Sequence, residues 1–126
     1  MKALVIKPEP MRKILSGSKC WEVRRGRCQI RGLVGLIERG SGTVVGVAEL
    51  IDCVGPLTRE VRIRNARKIG VTAETAAQPW PRGSYAWVLK NRRRLLRPVR
   101  YKHPNGVIRW VPLSLSVSKA VLKQLI

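Results

Sequence analysis

The longest run of β-branched and small apolar residues, at positions 43–53, limits the possible folds of this chain more than any other feature. It follows a Ser41-Gly42 pair, and a second apolar run at positions 33–37 precedes that pair. Because β-branched residues favour strands and Ser-Gly favours turns, the two runs predict a β-hairpin. Aromatic residues make up only 5% of the chain and Phe is absent. The core around this hairpin must therefore consist mainly of Val, Leu, Ile and Ala.

Shorter signals place the other strands and the first helix. Residues 2–6 predict a first strand, after which Pro8 and Pro10 favour a helix start. Gly17 is suited to the left-handed C-cap that would end this helix. Further strands are predicted over residues 20–25, 85–89, 95–101 and 107–111, with an interruption at residues 92–94.

Helical patterns occupy the middle connection and the C-terminus. From Pro56 to about Gln78 apolar residues recur at helical spacing, and Thr72 is placed to cap a helical turn. Near the C-terminus, Ser116 or Ser118 would cap a last helix.

These elements together predict a single α+β domain over residues 1–126. Its core, at about 2–113, would be a small, mostly antiparallel β-barrel, and a helical tail would cover about 116–126. The helices are inserted after the first strand and in the middle connection, and a further helix lies at the C-terminus. We expect the chain to be a monomer or a weak homodimer.

The charge composition restricts the partners. The chain has 26 Lys and Arg against 7 Asp and Glu, a formal net charge of +19 at pH 7. Such a chain favours a polyanion, because each neutralised phosphate releases a counterion. RNA is the expected partner, and single-stranded DNA is an alternative. No apolar run approaches the roughly 18 residues of a membrane span, and the N-terminus lacks the apolar length of a secretion signal. A cytoplasmic protein with no membrane partner is therefore expected.

Metal and cofactor chemistry has little support. The three cysteines, Cys20, Cys28 and Cys53, are odd in number, and no two have the spacing of a zinc knuckle. Free thiols are expected. The one histidine, His103, cannot supply a His-rich metal site. We expect neither a metal nor a cofactor, so any chemistry must use other side chains.

One short pattern carries three charges that converge. Residues 17–24, Gly-Ser-Lys-Cys-Trp-Glu-Val-Arg, match G-x-K-x-x-E-x-R after a predicted helix and within a predicted strand. On a strand Glu22 and Arg24 point to one side, and the apolar residues beside them point to the other. Lys19 reaches the same edge from the turn that ends the helix. The charged side is predicted to line a cleft that holds a phosphate or a base edge, the alternative being a cross-strand ion network.

This pattern, with residues 85–89 (Tyr-Ala-Trp-Val-Leu) and 97–99 (Arg-Pro-Val), resembles the ASCH family, whose fold is similar to the PUA domains of RNA-modifying enzymes. The likeness extends from the first strand to about Leu113. It implies a PUA-like barrel that binds RNA. The family also includes ribonucleases and amidohydrolases acting on acetylated cytidine. In a hydrolase the resemblance makes Lys19 and Glu22 the candidate catalytic residues, although Glu22 stands where the amidohydrolases have a threonine. A basic accessory subunit of an RNA complex is a third possibility.

Arginine-rich segments supply the expected binding surface, because the planar guanidinium suits phosphate. Trp80, between Pro79 and Pro81, is predicted in a loop, where it either stacks on an unpaired base or packs structurally against the prolines. Trp87 and Trp110 are expected in the core. The candidate nucleic-acid-binding residues are Lys19, Arg24, Arg59, Arg62, Trp80, Arg92, Arg93, Arg94, Arg97, Arg100 and Lys102.

Overall fold

A six-stranded sheet organises the chain, which the computed structural model describes over residues 1–126. The strands are β1 (Lys2–Ile6), β2 (Trp21–Arg25), β3 (Gly32–Glu38), β4 (Thr43–Val54), β5 (Ser84–Arg100) and β6 (Trp110–Pro112). Their order across the sheet is β2-β5-β4-β3-β1-β6. Only β1 and β3 pair in parallel, and every other neighbouring pair is antiparallel. The predicted hairpin is β3–β4.

Five helices connect or flank the strands. They are α1 (Pro8–Ser16), α2 (Arg59–Arg64), α3 (Ala66–Ile69), α4 (Ala73–Ala77) and α5 (Leu115–Lys123). As predicted, α1 ends at Gly17, which has a φ of 89°. The Thr72 hydroxyl accepts a hydrogen bond from the Thr75 N–H and caps α4. The middle connection nevertheless consists of three short helices. Asn65 departs from helical geometry between α2 and α3, and Gly70 does so after α3.

Two predicted boundaries near the C-terminus were wrong. The last strand lies at residues 110–112 instead of 107–111. The cap of α5 is Ser114, whose hydroxyl accepts from the Val117 N–H, so the helix begins earlier than Ser116 or Ser118 would allow. Ser118 is buried instead, and its hydroxyl accepts a hydrogen bond from the N-terminal ammonium of Met1.

The predicted interruption at residues 92–94 is also wrong, since β5 continues through them for 17 residues. β4 pairs with it from Thr43, opposite Arg100, to Val54, opposite Ala86. Three register shifts along this pair and a φ of 54° at Asn91 absorb the irregularity that the sequence suggested. Tertiary pairing with a long β-branched strand therefore overrides the local charge pattern.

Apolar residues cover both faces of the sheet. On one face Leu4, Ile6 and Trp87 pack with α1. On the other face Val5 packs with Val121 of α5. Trp87 is buried as expected, whereas Trp110 is only partly buried and stacks on it at 6.0 Å between ring centroids. All three cysteines are free. None of the helices has the length and apolar character needed to span a membrane.

The sheet curls without closing into a full barrel. Its two edges are β2 and β6, which share no backbone pairing. Two arginine side chains reach across the opening: Arg24 of β2 donates through Nη2 to the Val5 carbonyl of β1 at 2.6 Å, and Arg109, just before β6, donates through Nη2 to the Arg25 carbonyl of β2 at 3.0 Å. We call this opening between the edges the seam. β2 is therefore an edge strand there, and its Trp21 and Arg25 carbonyls accept hydrogen bonds from Lys19 and Arg109.

Candidate functional site

A cleft of about 560 Å³ lies along the seam, beside β2. Its floor is formed by Lys19, Glu22 and Arg24. Its apolar wall is formed by Ile69, Val71 and Trp80, and its rim carries Lys7, Arg25 and Arg39. Glu22 is the only carboxylate among all the lining residues. The cleft is therefore strongly positive.

Lys19, Glu22 and Arg24 form an ion triad on the cleft floor. Glu22 Oε2 accepts a hydrogen bond from Arg24 Nε at 2.9 Å, and Glu22 Oε1 lies 3.5 Å from Lys19 Nζ. Lys19 and Glu22 are each only 7% exposed. The side chains therefore make an ion network within positions 19–24 that also lines a cleft. That this cleft holds a phosphate or a base edge stays a prediction. One carboxylate is shared between two cations, and the floor keeps a net positive charge.

Local backbone geometry brings the triad together. The left-handed Gly17 turns the chain out of α1, and two residues later Lys19 enters the interior. Gly70, with a φ of 81°, lets the Lys19 stem pass closely, because a Cβ there would lie only 3.1 Å from Lys19 Cβ. Strand alternation in β2 then directs Glu22 into the seam and Trp21 against α3.

Lys19 is held as a charged ammonium group that donates hydrogen bonds to its surroundings. Its Nζ donates to the carbonyls of Trp21 and Ile69, each at 2.7 Å, and faces Glu22 in the third direction. Burial lowers the pKa of this amine below its ordinary value, and the Glu22 carboxylate opposes that shift. Because three acceptors surround an ammonium that has three hydrogens, the geometry favours the charged form at neutral pH.

Arg24 has one unused hydrogen-bonding nitrogen. Its Nε binds Glu22, its Nη2 binds the Val5 carbonyl, and Nη1 has no partner within the protein. No buried side-chain nitrogen or oxygen lacks a partner, so this Nη1 is accessible to solvent, and the Arg24 side chain lines the cleft. The guanidinium also lies 5.8 Å from the Trp87 ring centroid, and its hydrogen bonds to Glu22 and Val5 orient it. Arg24 can therefore donate to a phosphate or to a base acceptor.

Trp80 lines the cleft and is also held by the protein. Its Nε1 donates to the Thr75 carbonyl at 3.0 Å, and the Arg62 guanidinium lies 5.0 Å from its ring centroid. Arg62 itself is 6% exposed and donates to the carbonyls of Ala76 and Gln78. This corrects the expectation that Arg62 is available to nucleic acid, since its guanidinium is consumed in holding α4 and the Trp80 ring.

The other predicted basic residues lie away from the cleft. The six on or after β5 are Arg92, Arg93, Arg94, Arg97, Arg100 and Lys102, all exposed. Arg92 reaches the Leu15 and Ser16 carbonyls at 3.4 Å, at the end of α1, and Arg93 donates to the Leu125 carbonyl at 3.0 Å. Arg59 donates to the Ala77 carbonyl at 3.1 Å. None of these seven residues lines the cleft.

Sequence reasoning missed four basic residues around the seam: Lys7, Arg25, Arg39 and Arg109. They are spread from position 7 to position 109 and form no cluster along the chain. Arg25 directly follows the 17–24 pattern and was the one member that a local signal could have indicated. The parallel pairing of β1 with β3, which sets Ile6 opposite Glu38, places Lys7 beside Arg39, and the curl of the sheet brings both toward β2. No three His, Cys, Asp or Glu side chains are arranged to hold a metal ion.

Comparison with known proteins gives a structural likeness only. No family model and no curated protein matches the sequence. The crystal structure of ASCH from Zymomonas mobilis superposes with a TM-score of 0.72 at 17% identity, covering 97% of this chain and 93% of that one. Two point variants of the same protein give TM-scores of 0.71 and 0.70 over 97% of this chain, at 17% identity and with 96% and 94% of theirs covered. The fold is that of an ASCH domain. The predicted fold class is thereby confirmed, and the ASCH fold here takes the form of a curled, open sheet with the charged triad at its seam.

Proposed function

We propose that this ASCH-fold chain binds RNA by holding an unpaired segment in the seam cleft. The observation that carries the proposal is the charge of the cleft. Its one carboxylate is already paired with two cations, and Arg24 presents an unpaired Nη1. A site with unmatched cations and an unmatched planar donor suits a phosphate or a base edge.

The apolar wall favours unpaired nucleotides over a duplex. Trp80 presents a partly buried ring beside Ile69 and Val71, within a cavity about 560 Å³ in volume. A base stacked on a tryptophan contributes about 1–3 kcal/mol, and only an unpaired base has a free face for this. Lys7, Arg25 and Arg39 on the rim would then contact the phosphates beside the stacked base. The β5 arginines would add contacts that do not depend on sequence.

The test is an anisotropy titration of labelled single-stranded RNA, single-stranded DNA and duplex RNA at several salt concentrations. Wild type should bind single-stranded RNA most tightly, and Arg25→Gln/Arg39→Gln should weaken binding and flatten the salt dependence by about 0.7 per lost phosphate contact. Lys119→Gln/Lys123→Gln, on α5, is the matched control and should bind as wild type does. Equal affinity of both double variants would contradict a binding site at the seam.

Hydrolysis is the second candidate function, because burial lowers the pKa of the Lys19 amine beside an open cleft. A ribonuclease or a nucleoside amidohydrolase would use Lys19 and Glu22 in proton transfer. Each titration mixture should therefore also be run on a denaturing gel and assayed with acetylated cytidine. Lys19→Ala should abolish turnover while reducing binding only modestly if the residue is catalytic. Intact strands and intact nucleoside with wild type would exclude both reactions.

A further inference from the structure

A groove continues from the seam cleft across the turn between α3 and α4. A cavity of about 280 Å³ adjoins the cleft and shares Pro10, Lys19, Ile69 and Val71 with its lining. A third cavity, of about 440 Å³, shares Lys13, Gly70 and Val71 with the second. Neighbouring cavities share lining residues, so the three lie side by side between α1 and the α3–α4 segment. We call the section beyond Gly70 the outer groove.

We propose that the outer groove binds the sugar-phosphate backbone of the RNA strand that leaves the seam cleft. This inference rests on the proposed function. It extends the binding site from one nucleotide in the seam cleft to several nucleotides of the same strand. The outer groove is lined by Lys13, Ser18, Arg67, Gly70, Val71, Thr72 and Thr75. It contains two cations, three hydroxyl groups and no carboxylate, which is the chemistry that phosphate and ribose oxygens require.

Both cations have unused donors. Lys13 Nζ donates one hydrogen bond, to the Gly70 carbonyl at 2.9 Å, and two of its three hydrogens remain. Arg67 is exposed and forms neither a hydrogen bond nor an ion pair through its side chain. Arg67 therefore keeps its whole guanidinium for a ligand. Lys13 is fixed in place by its single bond, so it costs less entropy to position than a free surface lysine.

Gly70 lines both the second cavity and the outer groove. It has a φ of 81°, and the stem of Lys19 fills the space that a side chain there would take. The apolar side chain of Val71 lines all three sections and offers a ribose or a base edge a contact on the way. The second cavity, whose lining includes the exposed Glu9 carboxylate, thus lies between the base-sized seam cleft and the outer groove.

The experiment compares labelled single-stranded RNAs of two, four and eight nucleotides in anisotropy titrations over a range of salt. Wild type should gain affinity with length, because the longer strands reach the outer groove. Lys13→Gln/Arg67→Gln should lose most of that gain, and its salt slope on the longest strand should fall by about 1.4, about 0.7 for each of two phosphate contacts. Lys119→Gln/Lys123→Gln serves as the control of equal charge. Lys13→Arg/Arg67→Lys keeps both charges and should retain the slope, which separates loss of contact from loss of fold.

Two results would overturn the inference in different ways. If wild type binds RNA but the Gln variant keeps the length dependence and slope of the control, the strand does not follow the outer groove. If a polyglutamate peptide competes for the groove as well as RNA does at equal charge, the groove recognises acidic peptides instead. Absence of any RNA binding by wild type would refute the proposed function itself, so the two failures are distinguishable.

Discussion

Replacing Glu22 by Gln would leave the buried Lys19 and the partly buried Arg24 without the carboxylate between them. Glu22 lies 2.9 Å from Arg24 Nε and 3.5 Å from Lys19 Nζ, and both lysine and glutamate are 7% exposed. At an effective dielectric constant of about 20, the two attractions amount to about 6 and about 5 kcal/mol. Gln keeps the shape of the side chain but loses the charge attraction to both Lys19 and Arg24. It also relieves the carboxylate's own desolvation cost, which is several kcal/mol.

The net loss of stability should therefore be about 3–5 kcal/mol, as for other buried pairs that lose one partner. Urea unfolding followed by the fluorescence of the four tryptophans measures it. With an m-value of about 2 kcal/mol per molar, the midpoint should fall by about 2 M. Glu9→Gln is the control, because Glu9 is 74% exposed and lies 3.8 Å from Arg12, so its loss should change stability by less than about 0.5 kcal/mol. A loss below about 1 kcal/mol for Glu22→Gln would refute the argument that this carboxylate stabilises the two cations on the cleft floor.

Three further outcomes are expected in the same unfolding assay. Because burial lowers the pKa of Lys19 below the 10.5 of an unburied lysine, the unfolded chain binds more protons between the two pKa values. The free energy of unfolding of wild type relative to Lys19→Met should therefore rise with pH in that interval, and a flat difference would contradict the shift. Gly46→Ala should destabilise by about 1–3 kcal/mol, since the new Cβ would lie 2.8 Å from the Arg93 carbonyl oxygen. Ser114→Ala should lose about 1 kcal/mol with the α5 cap, whereas Ser116→Ala should lose less than about 0.5.

The fold was largely predictable because its signals are local. Gly17 ends α1, Thr72 caps α4 and the 41–42 turn joins β3 to β4, and each follows from the conformational preferences of a few adjacent residues. Element boundaries were less predictable where packing decides them. The arginines at residues 92–94 favour a loop by composition, yet the neighbouring strand β4 holds them in β5.

The candidate site divides in the same way. Lys19, Glu22 and Arg24 are close in sequence, and strand alternation with one helix C-cap was sufficient to predict that they meet. Arg62 could not be assigned correctly, because only the position of α4 decides that its guanidinium is buried under carbonyl groups. Exposure is a property of the folded surface, and clustering along the chain does not measure it.

The sequence by itself determined the charge, the alternation that separates a charged side of β2 from an apolar one, and the order of strands and helices. Each of these depends on residue type and on neighbours within a few positions. Only the tertiary structure decided that the sheet curls and stays open, that Lys7, Arg39 and Arg109 meet beside Arg25 at the seam, and that a groove leads from there past Gly70. These features depend on contacts between residues up to about a hundred positions apart, and long-range contacts are selected by packing of the whole chain instead of by local preference.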